Sequence, residues 1–283
     1  MEQMIDFLAQ LKNTELEIFK AFVKACETLG VKYYVLEGTL LGTVRHQGFI
    51  PWDDDIDVGM PREDYEKFLC EGQKLLPEYY FVQSLKSEDD YRANFAKIRD
   101  SRTTFIETSV RNTNINHGVY IDIFPLDFGC ENPQKQKRLF FMNRILNERI
   151  AIGFSLDKSF RGTVHKLIGN ALKILFPTIK KALVKKEKLM TSIPSSAVYA
   201  NYCSAYYRRE IMPVSWFGEG QYLNFEGISV RVPCEYDKWL RQVYGDYMQL
   251  PPEEKRVAHH ATDAIDLCKS YVEYKNIGME KNK

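Results

Sequence analysis

The chain has 283 residues, 45% of them apolar, so it is long enough to fill a substantial core as one large domain or two modest ones. Its 39 basic residues nearly balance 38 acidic ones, which gives no overall call for a nucleic-acid partner. No apolar run reaches membrane-spanning length and the amino terminus lacks a basic-then-apolar leader pattern, so a cytoplasmic location is expected. The six cysteines are widely scattered without a Cys-x-x-Cys pair, which disfavours a structural zinc site or a disulfide framework.

Taken in chain order, residues 1–29 place Ile5, Leu8, Leu11, Ile18, Phe22 and Cys26 at helical spacing, and Gly30 is a natural stop. Val31 to Leu36 is β-rich and ends at Gly38, after which Thr39 to Arg45 resumes helical spacing. That strand, turn and helix make the Gly38-Thr39 turn the first candidate for a phosphate cradle. Asp53 to Val58 reads as a short strand, and Pro61 opens a helix over residues 62–76. Phe81 to Leu85, Phe95 to Ile98, Thr103 to Ile106 and Val119 to Phe124 read as further strands of a mixed sheet. From Pro133 to about Lys188 the pattern is helical. Tyr222 to Phe225 and Ile228 to Val232 then flank Glu226-Gly227 as a hairpin, before a helix over residues 235–244. The expectation is an α+β fold: a mixed-sheet catalytic core over residues 1–130, with a softly bounded, mostly helical appendage over 131–283.

On a strand, alternate side chains share a face, so Asp55 and Asp57 project together, and Asp53 joins them if the strand begins early enough. Converging carboxylates repel unless a cation or proton lies between them, and hard oxygen ligands of this kind suit Mg²⁺ or Mn²⁺ holding a pyrophosphate. A lone acid, Asp122, stands at the centre of the apolar strand Tyr120-Ile-Asp-Ile-Phe124, where it would be costly without a partner. A solvated acidic turn is the bland alternative for residues 53–57, and the separate Asp122 strand weighs against it.

These residues carry a resemblance. A small-Gly-Thr turn after a strand, acid-x-acid, then an isolated acid on a later strand resembles the nucleotidyltransferase fold, and the stretch LEGTLLGTVRHQGFIPWDDDIDVG from Leu36 to Gly59 resembles the LicD family. Lys97-Ile-Arg-Asp100, the strand around Asp122, Phe225-Glu-Gly, Val232-Pro and Tyr244-Gly-Asp-Tyr247 extend the similarity to roughly residues 30–260. The family implies transfer of phosphocholine from CDP-choline to sugars of surface glycans; its fukutin-related branch uses CDP-ribitol. It implies Asp53, Asp55, Asp57 and Asp122 as metal-binding acids, with Asp55, Asp57 and Asp122 catalytic, and Gly38 and Thr39 near the nucleotide phosphates. The zinc-binding cysteine loop of the fukutin-related branch has no counterpart here.

Arg45, Lys97 and Arg99 are the basic residues expected to face phosphates, with ordinary ion pairing to the carboxylates as the alternative. Asp122 either completes the metal site or accepts the proton of the attacking hydroxyl. Trp52 reads as packing, and a choline cage, if present, is expected among Trp and Tyr such as Tyr206, Tyr207, Trp216 or Tyr222. His259 and His260 read either as a surface pair or with one of them touching the nucleotide, and His117 as a loop residue. Residues 158–188 hold nine basic residues against one acid, interleaved with apolar ones, a pattern for a solvated basic helix face or for peripheral contact with an anionic membrane. The resulting expectation is a CDP-alcohol donor and a glycan acceptor, including a lipid-linked one, without nucleic acid. A nucleotidyltransferase moving NMP from an NTP would use the same three acids.

Overall fold

A computed structural model describes residues 2–151, 172–256 and 260–274. Helix α1 (Glu2–Leu29) buries Leu11, Ile18, Phe22 and Cys26 along one stripe and ends at Gly30, whose φ of +63° is left-handed. There Gly30 N–H bonds to Glu27 O at 3.2 Å and Val31 N–H to Cys26 O at 3.1 Å, which satisfies the last carbonyls of the helix.

The main sheet runs β1 (Tyr34–Val35), β2 (Asp57–Pro61), β6 (Val119–Phe128), β4 (Ala96–Asp100) and β3 (Tyr80–Gln83) in spatial order. Only β2 and β6 are parallel within this path. The connection from β1 to β2 contains α2 (Glu37–His46) and the acidic loop; α3 (Arg62–Glu71) follows β2. Strand β6 is buried from Val119 to Asp127 and outlasts its sheet partners, so its end pairs with β7 (Val198–Ala200), which in turn pairs with β8 (Ile211–Pro213). Alternation along β6 puts Ile121 and Ile123 on one face and Tyr120, Asp122 and Phe124 on the other.

The second half holds more strand than the helical appendage that the sequence suggests. Besides α4 (Pro133–Ala151) and α5 (Ile179–Met190), a short helix α6 (Val214–Phe217) and α7 (Tyr236–Tyr244), it supplies β7, β8 and the hairpin β9 (Gln221–Phe225) and β10 (Ile228–Val232). It also supplies β11 (Thr262–Asp266), antiparallel to β5 (Thr104–Glu107). One apolar core contains Phe22, Val58 and Ile121 together with Phe225, Val230 and Trp239, so residues on both sides of position 130 pack together. A polar clasp adds to this: Arg62 grips Asp127 through two bonds of 2.8 and 2.6 Å and reaches Glu187 of α5 at 2.7 Å.

Candidate functional site

The site begins where β1 turns into α2. Leu36 is extended, Glu37 has a left-handed φ of +48°, and the helix starts there. A Cβ on Gly38 would lie 2.4 Å from Asp53 Oδ2, so the missing side chain lets the Asp53 carboxylate rest on the first turn of α2, the positive end of its dipole. Thr39 works one step away: its Oγ1 accepts the Asp57 backbone N–H at 2.8 Å and fixes the start of β2. Strand β2 begins only at Asp57, so Asp53 and Asp55 lie in the segment ahead of it rather than on the strand expected from alternation.

The parallel pairing of β2 with β6 sets Asp57 opposite Asp122, and the antiparallel pairing of β6 with β4 sets Asp122 opposite Lys97. Three strands therefore deliver acid, acid and base in one row. Asp53, Asp55 and Asp57 line a cavity of about 340 Å³ together with Glu37, Gly38, Arg45, Trp52, Tyr206 and Tyr244. Asp122 does not itself line it. Its Oδ1 lies 2.8 Å from Lys97 Nζ, which sits 3.3 Å above the Tyr120 ring centre.

These acids are crowded. Burial, then the charges of Asp53 and Asp122, raise Asp55 to about 8. Burial, then Asp55 and Glu37, push Asp57 well above the usual carboxylate range, and burial raises Asp122 against the pull of Lys97. Among the described residues no three His, Cys, Asp or Glu side chains already meet as a metal cage. The donor set, hard oxygens repelling one another around one opening, is nevertheless the kind that a divalent cation fits.

The basic residues divide. Arg45 lines the cavity and donates to Tyr247 O at 2.7 Å. Lys97 is engaged by Asp122. Arg99 is 1% exposed and bonds to Gln83 Oε1, Gly118 O and Glu107 Oε2 at 2.7, 2.8 and 3.2 Å. It does not line the cavity, so the structure places it as a buried pairing residue rather than a phosphate contact. Alternation along β4 does put Lys97 and Arg99 on one face, over the Tyr120 ring, but Arg99 is enclosed there by Gln83, Gly118 and Glu107. Glu107, which burial alone would raise, is held at about 2 by Lys97 and Arg99.

Four residues outside the expected metal and phosphate set are brought here by the fold. His260 Nδ1 lies 3.2 Å from Asp54 Oδ1. Burial alone would depress the imidazole, but the bond to Asp54 and the charge of Asp55 hold it at about 9. It arrives through the pairing of β11 with β5, which no local pattern announces. Glu37, Tyr206 and Tyr244 line the cavity; Glu37 stands directly before Gly38-Thr39, Tyr244 opens the Tyr-Gly-Asp-Tyr segment, and Tyr206 is one of the aromatic residues offered for a choline cage. His117 is buried, with Nε2 3.1 Å from Thr113 O, rather than a surface loop residue. His259, residues 158–171 of the basic stretch except where it resumes at 172, and the side chain of Tyr207 lie outside the described residues.

A family profile, LicD/FKTN/FKRP nucleotidyltransferase domain, matches residues 30–150. The chain is similar to the lipopolysaccharide cholinephosphotransferase LicD of Haemophilus influenzae, 34% identical over 264 residues, which span 89% of this chain and 95% of that protein. An uncharacterized protein of Rickettsia typhi is 51% identical over 49 residues, 17% of this chain and 15% of that one. The human ribitol 5-phosphate transferase FKRP is 44% identical over 48 residues, 17% of this chain and 10% of its own.

Proposed function

The chain belongs to the LicD family of transferases, and on that premise we propose that it moves phosphocholine from CDP-choline to a hydroxyl of a cell-surface glycan or its lipid-linked precursor. The observation that carries this reading is the end-to-end similarity to a lipopolysaccharide cholinephosphotransferase, joined to a cavity lined by three of the four motif acids. In the reaction the acceptor oxygen bonds to the phosphorus that bears choline, the bond from that phosphorus to CMP breaks, and the hydroxyl proton passes to a carboxylate. Mg²⁺ or Mn²⁺, held by Asp55 and Asp57 with Asp53 and Asp122, would neutralise charge on the donor diphosphate.

The protein's own groups do the positioning. Asp53, seated on the first turn of α2, and Asp57, pinned by Thr39, hold fixed places on the cavity wall. Asp122 is held beside Asp57 by Lys97 and is assigned both to complete the donor set and to take the proton. Arg45 and Lys255 line the same cavity and face the phosphate end of a donor with positive charge.

The test is incubation with Mg²⁺ and, separately, CDP-choline, CDP-ribitol, CDP-glycerol and CTP, following CMP and pyrophosphate. CMP from CDP-choline, increased by a glycan acceptor and lowered about 100-fold or more in Asp57→Asn, is the expected result. Pyrophosphate from CTP would replace this reading with nucleotidyl transfer.

A further inference from the structure

The end of the cavity formed by Glu37 and the two tyrosines has a composition that phosphate binding does not explain. Glu37 is 8% exposed and held at a left-handed φ of +48°, a conformation that residues with a side chain rarely adopt. Strain of this kind persists where the surroundings fix a residue for a purpose. Its carboxyl hydrogen-bonds with that of Glu210, 3% exposed, which also accepts a short bond from the Ser204 hydroxyl. Asn201 Nδ2 reaches Glu37 Oε1 at 3.5 Å. Two carboxyls in contact share a proton, so the pair carries at most one negative charge, and a cation bound beside it favours that charged form.

No cation of the protein answers that charge: among the described residues neither Glu37 nor Glu210 has an ion-pair partner, and the nearby Arg45 donates to the Tyr247 carbonyl. The wall beside the pair is aromatic. Tyr206 and Tyr244 stand edge to face with ring centres 5.3 Å apart, both line the cavity, and both lie within reach of the Glu37 charge. A buried negative charge beside ring faces complements a cation that needs no hydrogen-bond acceptors and sheds water cheaply, the properties of a quaternary ammonium. A polyol can donate hydroxyl hydrogens to the carboxyls, but it brings no positive charge to the pair or to the ring faces. Asp57, Glu37 and Tyr206 line the same cavity, which gives one ligand room to meet both the phosphate end and this end.

We propose that Glu37, Glu210, Tyr206 and Tyr244 form a subsite for the trimethylammonium head of the donor alcohol and select choline over uncharged polyols. The proposal rests on the reading of the chain as a CDP-alcohol phosphotransferase. Of the aromatic residues that composition alone suggested, Tyr206 is in the subsite, whereas Trp216 does not line the cavity and Tyr222 is 56% exposed beside Arg231.

The test compares affinity for CDP-choline with affinity for CDP by titration calorimetry in the wild type, Tyr206→Leu, Tyr206→Phe and Glu37→Gln, with melting curves to establish that each variant folds. The ratio in favour of CDP-choline falls about tenfold in Tyr206→Leu and in Glu37→Gln, and stays within about threefold in Tyr206→Phe, which keeps the ring. An unchanged ratio in Tyr206→Leu, or equal damage from Phe and Leu, overturns the subsite. CMP release by the wild type separates the two levels. Turnover of CDP-glycerol or CDP-ribitol in preference to CDP-choline overturns the subsite and leaves phospho-alcohol transfer standing, whereas no CMP from any CDP-alcohol removes both.

Discussion

Glu210 shows how a single buried group ties stability to the site. Burial holds it at about 7, against the hydrogen bonds from Ser204 and Asn201, whereas an ordinary glutamate titrates near 4.5. Between those values the native state keeps a proton that the unfolded chain has released, so this group's contribution is most favourable below pH 4.5 and declines as pH rises through 7. The amide in Glu210→Gln cannot ionise and still offers hydrogen bonds to its neighbours. The variant should therefore lose less Tm than the wild type between pH 5 and pH 8, with its Tm the higher of the two at pH 8. Parallel Tm profiles by differential scanning calorimetry would count against a shared-proton pair. Nothing in the sequence foretold this residue, because Glu210 lies 173 positions from Glu37 and meets it only through folding.

At the scale of elements, α2 and the acidic loop depend on one missing side chain. Adding a Cβ at Gly38 displaces the Asp53 carboxylate, the movable end of a side chain, and alanine is otherwise favoured over glycine in a helix by about 1 kcal/mol. Gly38→Ala should thus leave Tm within a few degrees of wild type while lowering kcat/KM about tenfold or more by moving Asp53; a fully active variant would show that Asp53 need not sit there. This device was only half legible. The sequence placed Gly38 at the strand-to-helix turn, but its partner became visible only when the loop was seen folded back on the helix.

The same division runs through the other elements. α1, α3, the hairpin β9–β10 and the strand bearing Asp122 stand within a few residues of where periodicity put them, because each has a strong local pattern. The three residues of β7, the three of β8 and β11 have no such pattern and exist through pairing with distant strands. Asp53, Asp55 and Asp57 were legible because they sit in one motif, and Asp122 because it stands alone in an apolar strand, whereas His260 reaches Asp54 only through the pairing of β11 with β5.

At the scale of the whole molecule, near-neutral composition hides an uneven surface. Lys180, Lys181, Lys185 and Lys188 are exposed on α5 beside Val184, which is 48% exposed. Ile174 and Leu175, 81% and 69% exposed, come just before it, and Phe141 on α4, which packs against α5, is 63% exposed. No helix among the described residues is long and apolar enough to cross a membrane. Basic residues near an anionic bilayer contribute about 1 kcal/mol each, and apolar side chains between them add burial at the interface. A lipid-linked acceptor would give such contact a purpose, since the enzyme and its second substrate would then meet on one surface. In flotation with vesicles containing phosphatidylglycerol, the wild type should rise with the lipid at low salt and be released as salt increases, because the attraction is screened within a Debye length of about 10 Å at 0.1 M. Changing all four lysines to Ser should leave most of the protein at the bottom of the gradient. If the two proteins float alike, the basic face of α5 is a solvated surface and the acceptor reaches the cavity without help from the membrane.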